Sequence, residues 1–152
     1  MLIYLDHAAT GGNKAPSVLS AVLAAMRCCA NPGRSGHKLS LAAAERVFAC
    51  RELLSSLFCG YGFERVVFTK NCTEALDLAI LGTLKQGDHA VTTCLEHNSV
   101  LRPLEALKRA GVIEYDVAPL TNGRLLPESI AELIKPNTRM AVVTSASNVT
   151  GE

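Results

Sequence analysis

From residue 66 onward, short apolar and β-branched runs alternate with helical patterns, and this alternation constrains the fold more than any other feature. The predicted strands are Val66–Thr69, Ala90–Cys94, Ile113–Val117 and Met140–Thr144. The predicted helices are Thr73–Leu84, Ser99–Arg109 and a segment from Pro127 to about Ile134. Alternation at this spacing predicts an α/β protein with a mainly parallel sheet flanked by helices and joined by right-handed crossovers.

Two further helices are predicted before the alternation begins. Pro16 opens the first, in which apolar residues recur at helical spacing as far as Met26. The second is predicted over Leu39–Leu57 and is followed by the turn Gly60-Tyr61-Gly62. We therefore divide the chain into an N-terminal helical segment, residues 1–60, and a sheet-bearing part, residues 61–152, which we expect to form one folded unit.

The turn from Phe68 to Leu76 is the strongest local indication of function. The predicted strand Val66–Thr69 runs without a spacer into Asn71-Cys72-Thr73-Glu74, where a helix begins. A helix start presents unpaired backbone N–H groups and the positive end of the helix dipole, so it attracts anions. Asn71 and Thr73 add polar side chains where a phosphate would lie. The alternative is that Thr73 is only the helix N-cap and that Glu74 only complements the dipole.

Two more polar clusters follow predicted strands. Glu96-His97-Asn98 comes after Ala90–Cys94, and Ser147-Asn148-Val149-Thr150-Gly151-Glu152 comes after Met140–Thr144. Ligand sites of parallel α/β sheets lie beyond the carboxyl ends of the strands. The three clusters therefore predict one site at that edge. The alternatives are a surface loop for His97 and ordinary turn chemistry for Asn148.

Composition excludes several classes of partner. The net charge is +1 and 19% of the residues are charged, with no basic block, so nucleic acid and anionic membranes are not expected as partners. No apolar stretch approaches the ~20 residues of a membrane span, and the N-terminus does not resemble a secretory signal, so we expect a cytoplasmic protein. Cysteines placed among apolar residues predict free, hydrophobic thiols rather than disulfides or a metal site: Cys50, Cys59, Cys72 and Cys94.

Five motifs in order resemble those of class V aminotransferases, with most similarity to the cysteine desulfurase and selenocysteine lyase branch. They are Tyr4–Thr10, Asn31–His37, Phe68–Ala75, Glu96–Val100 and Ser147–Gly151. The resemblance covers essentially the whole chain. It implies the pyridoxal 5'-phosphate (PLP)-dependent, aspartate aminotransferase-like (type I) fold, with residues 61–152 as the first part of the PLP-binding large domain.

The resemblance also implies roles for particular residues. In such enzymes the turn matching Asn71, Cys72 and Thr73 binds the PLP phosphate. The histidine matching His97 stacks on the pyridine ring and moves protons, which makes His97 the candidate catalytic residue. The asparagine matching Asn148 hydrogen-bonds the phenolic oxygen of the cofactor or the substrate.

Other residues are assigned with alternatives. The loop bearing Asn31, Arg34 and His37 resembles one near the active-site mouth or the dimer contact, and a solvated loop is the alternative. Asp6–Thr10 resembles a segment that lines the substrate entrance. Lys70 is not at the position of the lysine that holds PLP, and we expect it to face solvent or neighbour the phosphate. Neither Cys72 nor Cys94 matches the sulfur-accepting cysteine.

The implied parent enzyme removes sulfur from cysteine, or selenium from selenocysteine, and is a homodimer. The sequence ends at Glu152, whereas members of the resembling family are much longer. Their Schiff-base lysine, the aspartate on the pyridine nitrogen and the nucleophilic cysteine lie further along. We therefore expect this chain alone to be a truncated, inactive part, and its retention of PLP stays open. The alternatives are another enzyme of the same fold, a transaminase or kynureninase-like hydrolase, and a non-enzymatic α/β binding domain.

Overall fold

The computed structural model describes residues 3–4, 7, 9–28, 30–58 and 60–152. The chain divides into two compact units, Met1–Phe68 and Thr69–Glu152. Among the helices of the described residues, none is both long and apolar enough to cross a bilayer. The predictions made for Cys59, and for Asp6 and Ala8 of the segment Asp6–Thr10, lie outside the described residues.

The first unit is helical, as predicted. Helix α1 spans Pro16–Arg27 with Pro16 in its first turn, where the missing N–H of proline costs no helical hydrogen bond. Helix α2 spans Lys38–Leu57. His37 is its N-cap, and the Nδ1 of His37 accepts a hydrogen bond from the backbone N–H of Ser40 at 3.2 Å. A short 3₁₀ helix follows at Phe63–Arg65.

The predicted strand Val66–Thr69 is wrong. Val66 has an extended backbone, with φ −90° and ψ 117°, but the segment pairs with no strand of the described chain. Val67 is 66% exposed and Phe68 is 48% exposed. Their β-branched and aromatic character favours an extended conformation locally, whereas a strand also needs a neighbour for its backbone N–H and C=O groups. Whether such a neighbouring strand is present depends on the tertiary structure.

The second unit contains a three-stranded parallel sheet. Its strands are β1 (His89–Thr93), β2 (Glu114–Ala118) and β3 (Thr138–Ala141), in the order β2-β1-β3. His89 is in register with both Glu114 and Thr138. All five residues of β1 are buried, as expected for the central strand of a covered parallel sheet. The predicted α/β fold with a parallel sheet and flanking helices is confirmed.

Strand β3 begins and ends earlier than the predicted strand Met140–Thr144. The prediction followed the apolar run, whereas the polar Thr138 supplies the first ladder position opposite His89. Beyond β3, the N–H of Val142 still donates to the carbonyl of Val91 at 2.9 Å. The polar cluster after β3 therefore leaves the sheet at the same edge as the end of β1.

Three helices accompany the sheet: α3 (Cys72–Thr83), α4 (Asn98–Arg109) and α5 (Pro127–Ala131). Helix α5 ends before the predicted Ile134, and turns follow it. Helices α3 and α4 pack against each other. The core combines residues of both helices with residues of the strands and their flanks: Ile80, Leu84, Ala90, Val100, Leu104 and Ile113. This packing fixes the starts of α3 and α4 side by side.

Candidate functional site

The start of α3 is closed by a reciprocal cap. Asn71 has an extended backbone, and its Oδ1 accepts a hydrogen bond from the N–H of Glu74 at 2.9 Å. The Glu74 carboxylate in turn accepts from the N–H of Lys70 at 2.7 Å. This arrangement resembles a capping box. Asn71, rather than Thr73, is therefore the N-cap, and Glu74 has a structural role in addition to complementing the dipole.

The cap leaves two donors at the start of α3. Among the described residues, the backbone N–H groups of Cys72 and Thr73 have no hydrogen-bond partner. The first N–H groups of a helix lack carbonyl partners within it, and together with the dipole they favour an anion. Thr73 is exposed. The geometry that makes an anion site is therefore present at the predicted turn.

A chain of hydrogen bonds joins this turn to His97. The Oγ1 of Thr73 lies 2.8 Å from the Oγ of Ser99, which lies 2.8 Å from the Nδ1 of His97. His97 is also the N-cap of α4, because its Nδ1 accepts from the N–H of Ser99 at 3.1 Å. Two predicted site residues from separate polar clusters are thus brought together by the packing of α3 on α4.

A polar cavity of about 330 Å³ opens at this junction. It is lined by Thr73, Asp77, His97, Asn98, Ser99, Arg102 and Pro103. Sequence reasoning missed Asp77, Ser99 and Arg102. Helical spacing could have identified two of them. Asp77 lies one helical turn after Thr73, and Arg102 lies one turn after Asn98, so each shares a helix face with a predicted site residue or its neighbour. Within the described part of the chain Arg102 pairs with no carboxylate, so it adds positive charge to the two helix starts.

A larger cavity, about 610 Å³, lies beside α4 and β2. Its lining includes Cys94, Arg102 and Tyr115 but neither Thr73 nor His97. Size therefore does not select the site, because the convergent polar groups lie in the smaller cavity. Arg102 lines both cavities.

Glu96 ties the third polar cluster to the same edge of the sheet. Its Oε1 accepts hydrogen bonds from the Thr93 hydroxyl at 2.9 Å and from the N–H of Thr144 at 2.6 Å. The end of β1 and the segment after β3 are therefore joined through one carboxylate oxygen. Sequence reasoning had treated Glu96 only as the setting of His97.

Asn148 lies in a turn within this third cluster. The carbonyl of Ser147 accepts from the N–H of Gly151 at 2.9 Å, and the buried Ser147 hydroxyl accepts from Val149 and Thr150. The Asn148 side chain is exposed and makes no hydrogen bond with the described residues. Asn148 does not line the cavity that contains Thr73 and His97.

Several other predicted residues have defined surroundings. His37 caps α2, and the carbonyl of Asn31 accepts from the Ser40 hydroxyl at 2.7 Å, so this loop is anchored to its helix. Lys70 faces solvent, as predicted, with its Nζ 3.6 Å from the Glu74 carboxylate.

The expectation of cysteines packed among apolar residues is wrong for three positions. Cys50, Cys72 and Cys94 carry free thiols but are exposed. Cys72 occupies the first turn of α3, and Cys94 lies just beyond β1 at a cavity. Apolar neighbours in sequence do not bury a residue that the helix or strand turns outward. Within the described ranges no cluster of three or more His, Cys, Asp or Glu side chains could hold a metal ion.

Comparisons with known proteins identify the family of the chain. The family model described as aminotransferase class-V matches residues 3–152. A cysteine desulfurase IscS from Anaeromyxobacter sp. (strain K) is 33% identical over 98% of this chain and 38% of its own length. The chain thus spans about 38% of the length of this curated relative.

Solved structures share the fold. The cysteine desulfurase CsdA from Escherichia coli has a TM-score of 0.72 and 25% identity, over 98% of this chain and 39% of CsdA. C-DES with a glycine covalently linked to its PLP cofactor has a TM-score of 0.63 over 84% of this chain and 34% of its own. At 20% identity, C-DES supports the fold alone. The predicted aspartate aminotransferase-like fold and the resemblance to cysteine desulfurases are confirmed, and the chain belongs to the class V aminotransferase family.

Proposed function

We propose that this chain supplies the phosphate-binding turn and the ring-stacking histidine of a PLP-dependent, cysteine desulfurase-like enzyme. The observation that carries the proposal is the hydrogen-bonded chain from Thr73 through Ser99 to His97, at one cavity. Family membership and the cysteine desulfurase relatives support the proposed reaction class.

The start of α3 fits the phosphate of PLP. A phosphate dianion needs several N–H or O–H donors and a positive potential. The free N–H groups of Cys72 and Thr73 provide donors, and the Thr73 hydroxyl lies beside them. Asn71 contributes by capping the helix, which keeps the backbone of Cys72 and Thr73 in the helical conformation that aims their N–H groups outward.

His97 fits a role against the cofactor ring. Its Nδ1 is occupied by Ser99, so Nε2 is the nitrogen that can exchange a proton. The ring is exposed at the cavity, which leaves a face for the pyridine ring of PLP. Histidine is the side chain best suited to moving protons near neutral pH. PLP, when bound, supplies an electron sink for the amino-acid substrate.

The remaining elements of the proposal concern the whole enzyme. Cysteine or selenocysteine is the proposed substrate class, supported by the names of the relatives. Asn148 is proposed to hydrogen-bond the cofactor or the substrate, supported by its free side chain and by the Glu96 contact that holds its segment at the strand ends. The free thiols of Cys28, Cys50 and Cys94 are consistent with a reducing, cytoplasmic location.

For residues 1–152 alone, we propose non-covalent binding of PLP without turnover. The residues that line the cavity include no lysine. The lysines of the chain are Lys14, Lys38, Lys70, Lys85, Lys108 and Lys135. In the second unit, Lys70, Lys108 and Lys135 lie beside Glu74, Glu114 and Asp116, which hold their ammonium groups.

Equilibrium dialysis with PLP tests the proposal. We expect Thr73→Val to weaken binding roughly tenfold to a hundredfold, because a hydrogen bond to a charged group contributes about 1.5–3 kcal/mol. We expect His97→Asn, which keeps a capping side chain, to weaken it also. Thr83→Val, at the opposite end of α3, is the control and should bind normally. Borohydride treatment of the PLP complex should label no single lysine stoichiometrically.

Two results would contradict the proposal. One is PLP binding that is unchanged by Thr73→Val and His97→Asn. The other is clean labelling of one lysine, which peptide mapping would locate. Labelling of Lys70 would mean that the lysine beside the phosphate turn holds the cofactor.

A further inference from the structure

Ser99 occupies a position between the two principal site residues. It is only 8% exposed, whereas Thr73 and His97 are both exposed. Its Oγ lies 2.8 Å from the Thr73 Oγ1 and 2.8 Å from the His97 Nδ1. One buried hydroxyl therefore touches the proposed phosphate turn and the proposed ring-stacking histidine at the same time.

The direction of these hydrogen bonds follows from the donors. The backbone N–H of Ser99 can only donate, and it points to Nδ1 of His97 at 3.1 Å. In a neutral imidazole one nitrogen carries the proton and the other accepts. Nδ1 is therefore the acceptor, and the ring proton resides on Nε2.

The Ser99 hydroxyl must then donate to Nδ1 as well, so that the amide and the hydroxyl share one acceptor. A hydroxyl has a single proton but two lone pairs. With its proton directed at His97, Ser99 accepts at its oxygen, and the Thr73 hydroxyl is the donor in reach. In the ligand-free chain the hydrogen bonds thus run in one direction, from Thr73 to Ser99 to His97. A phosphate bound at the turn would compete with Ser99 for the Thr73 proton and would leave the hydrogen bond from Ser99 to His97 in place.

We propose that Ser99 is a positioning residue that holds the imidazole of His97 with its proton on Nε2 and links it to Thr73. The assignment rests on the proposed function in one respect, that His97 acts on the cofactor. The consequence is chemical. A His97 ring fixed at Nδ1 presents Nε2–H in one orientation, whereas a ring free to turn would present either nitrogen.

Nitrogen NMR of the ligand-free chain tests this role. The imidazole nitrogens are observed at mildly alkaline pH, where the rings are neutral, and His97 is assigned among the four histidines by its loss in His97→Asn. In the unsubstituted chain we expect the Nε2–H tautomer, with the Nδ1 resonance at the position of a hydrogen-bonded acceptor.

Four variants separate the contributions of the Ser99 and Thr73 hydroxyls to the position of the Nδ1 resonance. Ser99→Ala should move the Nδ1 resonance toward that of an unbonded nitrogen, because only the amide donor remains. Ser99→Thr, which retains the hydroxyl, should restore it. Thr73→Val should move the Nδ1 resonance in the same direction as Ser99→Ala but by less, because Ser99 loses the hydroxyl that donates to it. Ser129→Ala removes a hydroxyl from the first turn of α5 and should change nothing.

The outcomes are decisive for Ser99. A proton on Nδ1 in the unsubstituted chain, or an Nδ1 resonance that ignores both Ser99→Ala and Thr73→Val, overturns the proposal. The measurement uses no cofactor, so it is independent of the dialysis experiment. A chain that keeps the Ser99-dependent resonance but does not bind PLP would remove the proposed function and leave the role of Ser99 intact.

Discussion

At the scale of single residues, the start of α3 depends on which side chain caps it. Asn71 and Thr73 are both good N-cap residues, so their chemistry alone does not choose between them. The cap must have a non-helical backbone, and Asn71, with φ −163° and ψ 172°, has one. Thr73 lies inside the helix and is left to bond Ser99. Capping and site geometry are therefore assigned to different residues of the same turn.

Asn71→Ala should lower the free energy of unfolding by about 1 kcal/mol, because the N–H of Glu74 loses its partner. Asn71→Ser should retain most of the stability. Urea denaturation measures both. Asn98→Ala is the matched control, since Asn98 is an exposed first-turn residue of α4 and His97 does the capping there. An equal loss of unfolding free energy for Asn71→Ala and Asn98→Ala would show that capping by Asn71 does not stabilise the fold.

At the scale of elements, β1 joins a polar network at one end to the candidate site at the other. At its start, the buried His89 lies 2.8 Å from the Thr138 hydroxyl of β3 and 3.2 Å from the Asp116 carboxylate of β2. Lys135 reaches the same carboxylate at 2.6 Å. Both neighbouring strands are thereby tied to the start of β1, away from the edge that bears His97.

The hydrogen bond from Lys135 holds the pKa of Asp116 below its ordinary value of 3.8, against the opposing effect of partial burial. Nearby His89 lowers the pKa further. A carboxyl group whose pKa is lower in the folded state stabilises the fold above its unfolded pKa, and that contribution is lost as the pH falls through the folded pKa. The stabilisation from this pair is therefore confined to pH values above the acid range.

Lys135→Met should accordingly reduce stability at neutral pH, by about 0.2–1 kcal/mol because the pair is partly exposed. The difference from the unsubstituted chain should shrink as the pH falls below the ordinary pKa of aspartate and vanish once Asp116 is protonated. Urea unfolding at a series of pH values measures it. Lys85→Met removes a lysine without an ion pair in the described chain and is the control. A difference that stays constant with pH would contradict the account.

At the scale of the whole molecule, much apolar surface remains uncovered. Five apolar residues of α1 are between 47% and 66% exposed: Val18, Leu19, Val22, Leu23 and Met26. Their spacing places them on one stripe of the helix. Contiguous apolar patches of more than a few hundred Å² are uncommon on monomers in water and mark association sites.

We therefore predict that the chain forms a homodimer or higher oligomer that covers part of this stripe. Sedimentation equilibrium at micromolar concentration should give a mass above that of one chain. Leu19→Glu, on the stripe, should shift the equilibrium toward the monomer, because a buried charge would face an apolar surface. Ala24→Glu, on the opposite face of α1, is the control. A compact monomer at all concentrations would exclude the predicted association.

Much of the architecture could be predicted from local patterns. Helices α1, α2, α3 and α4 lie within about a residue of their predicted bounds, because amphipathic spacing, Pro16 and the glycines after helices act within a few residues of chain. The parallel arrangement followed from alternation, since parallel strands need crossover helices. Thr73 and His97 were predicted to share one site because each lies where a predicted strand gives way to a helix, although the strand before Thr73 does not form.

Other features were decided only by tertiary structure. Whether Val66–Thr69 becomes a strand depends on a neighbouring strand that is distant in sequence. The residues of the segment do not indicate whether such a strand is present. Ser99 joins Thr73 to His97 only because α3 packs on α4, and Glu96 joins the ends of β1 and β3 only because those strands are neighbours. The approximate starts of the helices and the polar residues beside them could be read from the sequence, because those preferences are local. Which of the polar groups touch was decided by packing, because hydrogen bonds between distant segments depend on distances that the core sets.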